Sequence, residues 1–151
     1  MKKEVQELRG ALLDLEGILN RPQPDAAAIA VAGVDLDRAL YPLLVRIDRL
    51  GPVGIVELAE LTGRDYTTVS RQVAKLETLG LVTRTGSVQD KRVRAARVSA
   101  QGKEMTRKLD TARQKIAEKL LGDWDPEDIR TLSRLLRKAA DDAMDWVKSL
   151  R

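Results

Sequence analysis

The sequence predicts a mainly α-helical fold with one small β-hairpin, an α+β class. Three observations carry the prediction. Apolar residues recur at three- and four-residue steps over most of the chain, the period of a helix face. The composition is rich in Leu, Ala, Glu, Lys and Arg, which favours helix. One stretch, residues 81–98, is dense in β-branched residues around a segment with turn chemistry, as a hairpin requires. At 151 residues the chain fits a single domain, 1–151, and with no Phe, two Trp and two Tyr its core is expected to be aliphatic.

At the N-terminus, Val5, Leu8, Leu12, Leu15 and Leu19 mark one face of a helix over Lys3–Leu19. Pro22 and Pro24 break that helix within Asn20–Asp25, and Ala26–Val34 is left open between helix and loose connection. Asp35 is read as the N-cap of a second helix, Leu36–Leu50, with Pro42 bending or dividing it. Gly51-Pro52 makes a turn. A short extended piece then leads into a helix at Val56–Thr62, stopped by Gly63, and Asp65 caps the next helix three residues on. Helix, short Gly-containing turn, helix is the helix-turn-helix arrangement. Leu81–Thr85 and Val93–Val98 form the hairpin, with a polar, basic tip at Ser87–Arg92. A hairpin in that place is a wing, whose tip can set an arginine in a minor groove. Ser99 caps a long helix, Ala100–Leu121, striped by Met105, Leu109, Ala112, Ile116 and Leu120. Asp125-Pro126 opens the last helix, lined by Ile129, Leu132, Leu135, Leu136, Ala139, Ala143, Trp146 and Val147.

Charge points to a partner. Arg64–Lys103 holds nine Lys/Arg against three Asp/Glu, a net +6, while the whole chain is +4, so the remainder sums to −2. In the helix after Asp65, Val69, Val73 and Leu76 face inward. At 100° per residue from Val69, Thr67, Arg71 and Lys75 fall at about 160°, 200° and 240°, with Thr68 and Gln72 beside them at about 260° and 300°. Together with Ser70 they supply hydroxyls, an amide, a guanidinium and an ammonium, the groups that contact phosphates and base edges. The terminal helices carry apolar stripes far from the compact 53–98 lobe. A second copy of the chain would bury them and present two reading helices to a palindromic DNA site. The expected architecture is a winged helix-turn-helix core, 53–98, with N- and C-terminal dimerisation helices at 1–50 and 100–151.

Residues Val56–Glu104 resemble the MarR family of winged-helix transcriptional regulators. Thr67–Val82 looks like the family's recognition helix. Asp90-Lys91-Arg92 matches the family's D-x-R wing motif, and Val98-Ser99-Ala100-Gln101-Gly102 matches the opening of its long fifth helix. The resemblance implies a homodimer on a pseudo-palindromic double-stranded operator, usually a repressor. It makes Arg92 the minor-groove arginine and Asp90 the residue orienting the wing, and puts the recognition-helix contacts on Thr67, Thr68, Arg71, Gln72 and Lys75; Lys91 and Arg94 of the basic hairpin are read as further DNA contacts. Many members release DNA when a small aromatic or phenolic ligand binds between the dimer helices and the DNA-binding lobe. The corresponding ligand contacts here are Tyr41, Leu44, Met105 and Leu109.

Other classes are excluded on chemistry. With neither Cys nor His, the chain has no thiol nucleophile, imidazole base, Cys/His zinc site or cysteine redox sensor. Asp123, Asp125, Glu127 and Asp128 are accounted for by helix N-terminal charge, so neither metal nor cofactor is expected. No apolar run approaches the ~20 residues that cross a bilayer, and acidic residues throughout Lys3–Leu19 exclude a signal peptide, so the expected location is cytoplasmic. The competing reading is a winged helix that binds protein instead of DNA. It calls for an apolar or aromatic exposed face on Tyr66–Thr78, where the sequence places a polar, basic one.

Overall fold

A computed structural model of the protein describes residues 1–86 and 94–150. Two compact units are formed, Met1–Gln114 and Lys115–Arg151. The first contains α1 (Lys2–Leu19), α2 (Pro22–Ala32), α3 (Tyr41–Leu50), β1 (Val53–Gly54), α4 (Ile55–Thr62), α5 (Tyr66–Thr78), β2 (Val82–Gly86), β3 (Arg94–Val98) and most of α6 (Ala100–Leu121). The second contains the end of α6 and α7 (Pro126–Ser149).

The break expected within Asn20–Asp25 is present, since α1 ends at Leu19 and a separate helix follows. The second expected helix, Leu36–Leu50, is corrected: its proline begins the helix instead of bending or dividing it. Pro22 lies in the first turn of α2, which runs through the small-residue stretch to Ala32. Pro42 lies in the first turn of α3, which starts at Tyr41 rather than Leu36. A first-turn proline loses nothing, because its missing N–H would have had no helical partner there. Asp35 does not cap α3, whose N-cap is Leu40 without a side-chain bond. Asp37 instead accepts the Ala39 N–H at 2.9 Å in the turn before it. Leu36 and Leu40 are buried all the same, from a loop and a turn.

The core of the first unit is aliphatic. Leu43, Leu44 and Ile47 of α3, Leu58 of α4, Val69, Val73 and Leu76 of α5 and Leu109 of α6 are all fully buried. At about 1.5–3 kcal/mol per large aliphatic side chain, the three residues of α5 alone hold that helix firmly against the core. The sheet has the order β1-β3-β2, with both pairings antiparallel. Val82 pairs with Val98 and Gly86 with Arg94, so the expected hairpin is formed between the two β-branched runs. The expected turn beyond Gly86, including Asp90, Lys91 and Arg92, lies outside the described residues.

Ser99 caps α6 as expected, its Oγ accepting the Gly102 N–H at 2.9 Å. The same hydroxyl donates to the Gly80 carbonyl at 2.5 Å, and the Ser99 N–H donates to the Leu81 carbonyl at 3.0 Å. These bonds bolt the exit of α5 to the entry of α6. In the second unit, Asp125 caps α7 through the Glu127 N–H at 2.8 Å. The stripes of α1 and α7 bury no residue within the single chain; Leu8 is 59% exposed and Trp146 63%. Among the described residues no helix is long and apolar enough to cross a membrane.

Candidate nucleic-acid interface

The helix-turn-helix is built by two local devices. Gly63, at φ 62°, takes the left-handed conformation that closes α4, and the Arg64 N–H then returns to the Ala59 carbonyl at 3.1 Å. Two residues later Asp65 opens α5. Its carboxylate accepts the Thr68 N–H at 2.8 Å and the Thr68 hydroxyl at 2.5 Å. Those two bonds, hydroxyl first, hold the Asp65 carboxyl below the ordinary aspartate range, with the positive charge of Arg71 contributing further.

The buried stripe of α5 sets the opposite face outward. Thr67, Arg71 and Lys75 are exposed, and Thr68, Ser70 and Gln72 are partly so. The six predicted contacts therefore share one accessible side of one helix. They are not equally disengaged. The Thr68 hydroxyl proton is given to Asp65. The Gln72 Oε1 accepts from Arg64 Nη1 at 3.1 Å. Lys75 Nζ lies 3.6 Å from Asp37 Oδ2, with both side chains more than half exposed. Arg71 alone among the longer side chains has no hydrogen-bond partner among the described residues, so its planar donor fork stands open to solvent. Arg94 is placed on β3 opposite Gly86.

The predicted ligand contacts separate. Leu44 and Leu109 are sealed in the core, Met105 is half-buried, and Tyr41 borders a cavity of about 440 Å³. Burial pushes the Tyr41 phenol up, against the opposing effect of Arg113, so it remains a neutral hydroxyl at pH 7. Around the same cavity stand Arg38, Arg46, Arg64 and Arg113, none of which the sequence singled out as a site residue. Their only sequence signal was positive charge, at positions too far apart to form a motif.

Known proteins share this architecture. The family described as HVO_A0114 matches residues 36–97. The HTH-type transcriptional regulator YxaD of Bacillus subtilis is 32% identical over 104 residues, covering 69% of this chain and 73% of the relative. A MarR family protein from Bacillus stearothermophilus superposes with a TM-score of 0.75 at 21% identity, over 95% of this chain and 97% of that one. A MarR-family transcriptional regulator of Listeria monocytogenes, crystallised with a 26-mer DNA, gives 0.74 at 20% identity, over 88% and 89%.

Proposed function

We propose that this chain, which belongs to the MarR family of winged helix-turn-helix transcriptional regulators, acts as a homodimeric repressor on a pseudo-palindromic promoter site. The family is one of DNA-binding regulators, not of enzymes. The observation that carries the reading is the outward face of α5. Thr67, Arg71 and Lys75 project together from a helix whose other side is locked into the core. Such a helix enters a major groove as a rigid body, and Arg71 is its one open bidentate donor, suited to the O6 and N7 edge of guanine.

The dimer rests on the terminal helices. Apolar stripes along α1 and α7 remain exposed within one chain, and a second copy would cover them. A twofold arrangement would give two α5 helices, hence two half-sites about one turn of DNA apart. Asp90, Lys91, Arg92 and Arg94 would contact the flanking DNA from the wing. Release by a small molecule completes the reading, and the cavity beside Tyr41 supplies a place for it.

The test is selection of fragments from the source genome by the purified protein at about 150 mM salt, where non-specific binding is weak. The expected result is enrichment of an inverted repeat lying across promoters. Retention of DNA without any shared sequence would overturn the specific-site reading.

A further inference from the structure

The cavity beside Tyr41 has an unusual lining for a small-molecule site. Such cavities are mostly apolar with a few placed polar groups. Here five arginines line it: Arg21 after α1, Arg38 before α3, Arg46 on α3, Arg64 in the helix-turn-helix turn and Arg113 on α6. Asp25 is the single carboxylate among the described lining residues. The volume, about 440 Å³, is that of a small metabolite.

Like charges gathered in a partly enclosed space repel, and Arg46 shows it. Its pKa is lowered first by burial and then by the positive charges of Arg64, Arg49 and Arg113. Arginine holds its proton at any physiological pH, so this repulsion cannot be relieved by neutralisation. A bound anion relieves it, and the guanidinium fork matches phosphate and carboxylate oxygens two at a time. A ligand with one negative charge would leave most of the excess uncompensated.

Arg64 also faces the other way. Its Nη1 donates to the Gln72 Oε1 at 3.1 Å, so one side chain borders the cavity and steadies a residue on the α5 reading face. We propose that the cavity binds a small polyanion carrying at least two phosphate or carboxylate groups, and that Arg64 transmits its occupancy to α5 by leaving Gln72 for the ligand. The transmission half rests on the reading of α5 as the DNA-reading helix; the binding half does not.

The experiment uses the full chain in two measurements at matched ionic strength. Calorimetric titration with pyrophosphate, citrate and benzoate is expected to show one site per chain for at least one polyanion. Benzoate should bind at least about tenfold more weakly, and Arg113→Gln and Arg38→Gln should each weaken the polyanion about tenfold, the scale of one charge-assisted bond. Pyrophosphate tighter than citrate assigns a phosphate ligand, and the reverse a carboxylate. No heat with either polyanion, or undiminished binding by both arginine variants, overturns the site.

Fluorescence anisotropy on operator DNA then compares each protein with and without saturating polyanion. The wild type should lose about tenfold in DNA affinity, whereas Gln72→Ala should bind the polyanion normally and lose less than about twofold. Binding with no change in wild-type DNA affinity overturns the transmission half. A loss that sets in at the same polyanion concentration in wild type and Arg113→Gln means that the polyanion competes at the DNA surface, and also overturns it. Polyanion binding by a protein that recognises no DNA would count against the regulator reading and leave the site standing.

Discussion

Replacing Gly102 with alanine tests the junction that fixes α5 against α6. A Cβ at this position would overlap the Leu81 carbonyl oxygen and come within 2.9 Å of the Leu81 carbonyl carbon. To restore ordinary contact, the entry of α6 must withdraw from Leu81 by more than about an ångström. That movement opens the Ser99 N–H bond to the Leu81 carbonyl, now 3.0 Å, and strains the Ser99 hydroxyl between Gly80 and Gly102. Overpacking of this kind costs about 1–3 kcal/mol and a lost hydrogen bond about 1 more. Alanine returns about 1 kcal/mol through its better helix propensity. The expected net destabilisation is about 2 kcal/mol, a fall of about 1 M in the urea midpoint, measured at fixed protein concentration because self-association would shift it. Gly17→Ala in α1 is the control. Nothing lies within 4 Å of its Cβ, so it should leave stability unchanged or raise it. DNA affinity should fall with Gly102→Ala, since the displaced exit of α5 re-aims Arg71 and Lys75. An unchanged midpoint in Gly102→Ala would refute the close approach of α6 to Leu81 and the rigid coupling derived from it.

Four further outcomes are expected. Arg71→Ala should cost about 1–3 kcal/mol on operator DNA and much less on a scrambled sequence, read by anisotropy; equal losses would remove Arg71 from base recognition. Lys91→Ala should weaken both DNAs alike and reduce the salt slope by about one, whereas a loss confined to the operator would make it a reader rather than a phosphate contact. Asp65→Ala should destabilise the protein at neutral pH with a pH-dependent gap. The folded carboxyl titrates below its ordinary value of 3.8, so its contribution is present above that value and vanishes as pH falls through the lower folded value; a gap constant down to strong acid would deny the Thr68 bonds their role. Leu135→Glu, on the exposed stripe of α7, should convert a dimer to monomer in sedimentation equilibrium, and an intact dimer would move the interface elsewhere.

The elements read most faithfully from sequence are those decided by near neighbours. Val69, Val73 and Leu76 show their face through spacing alone, and all three are fully buried. Asp65 announces its cap because the bond it makes spans three residues. The hairpin itself follows from β-branched runs about a turn, and its two strands are observed paired. The start of α3 was less legible because proline has two opposite meanings. Inside a helix it breaks the ladder, and in the first turn it costs nothing, so Pro42 alone does not say which applies. Upstream, Asp37 holds the Ala39 N–H in a turn, Leu36 and Leu40 are buried, and neither Asp35 nor Asp37 caps α3. The arginine cavity had no local signature at all. Its members come from helix ends, a turn and two helices spread between residues 21 and 113, and tertiary packing alone brings them together.

The reading face illustrates what side-chain contacts add to a helical wheel. The wheel places Thr67, Arg71 and Lys75 outward, and treats them and their flanking neighbours as equivalent donors. The contacts divide them. Thr68 is committed to the cap that starts α5, Gln72 to Arg64, and Lys75 to a long pair with Asp37 in the turn before α3. A committed group, donor or acceptor, must leave its partner before it meets DNA, so its contribution depends on the state of that partner. Lys75 gives up little, because an exposed pair at 3.6 Å is weak. Gln72 depends on Arg64, and Arg64 stands among other cations at the cavity. Arg71 carries no such dependence. The steady part of recognition therefore belongs to Arg71, and the part open to adjustment belongs to Gln72.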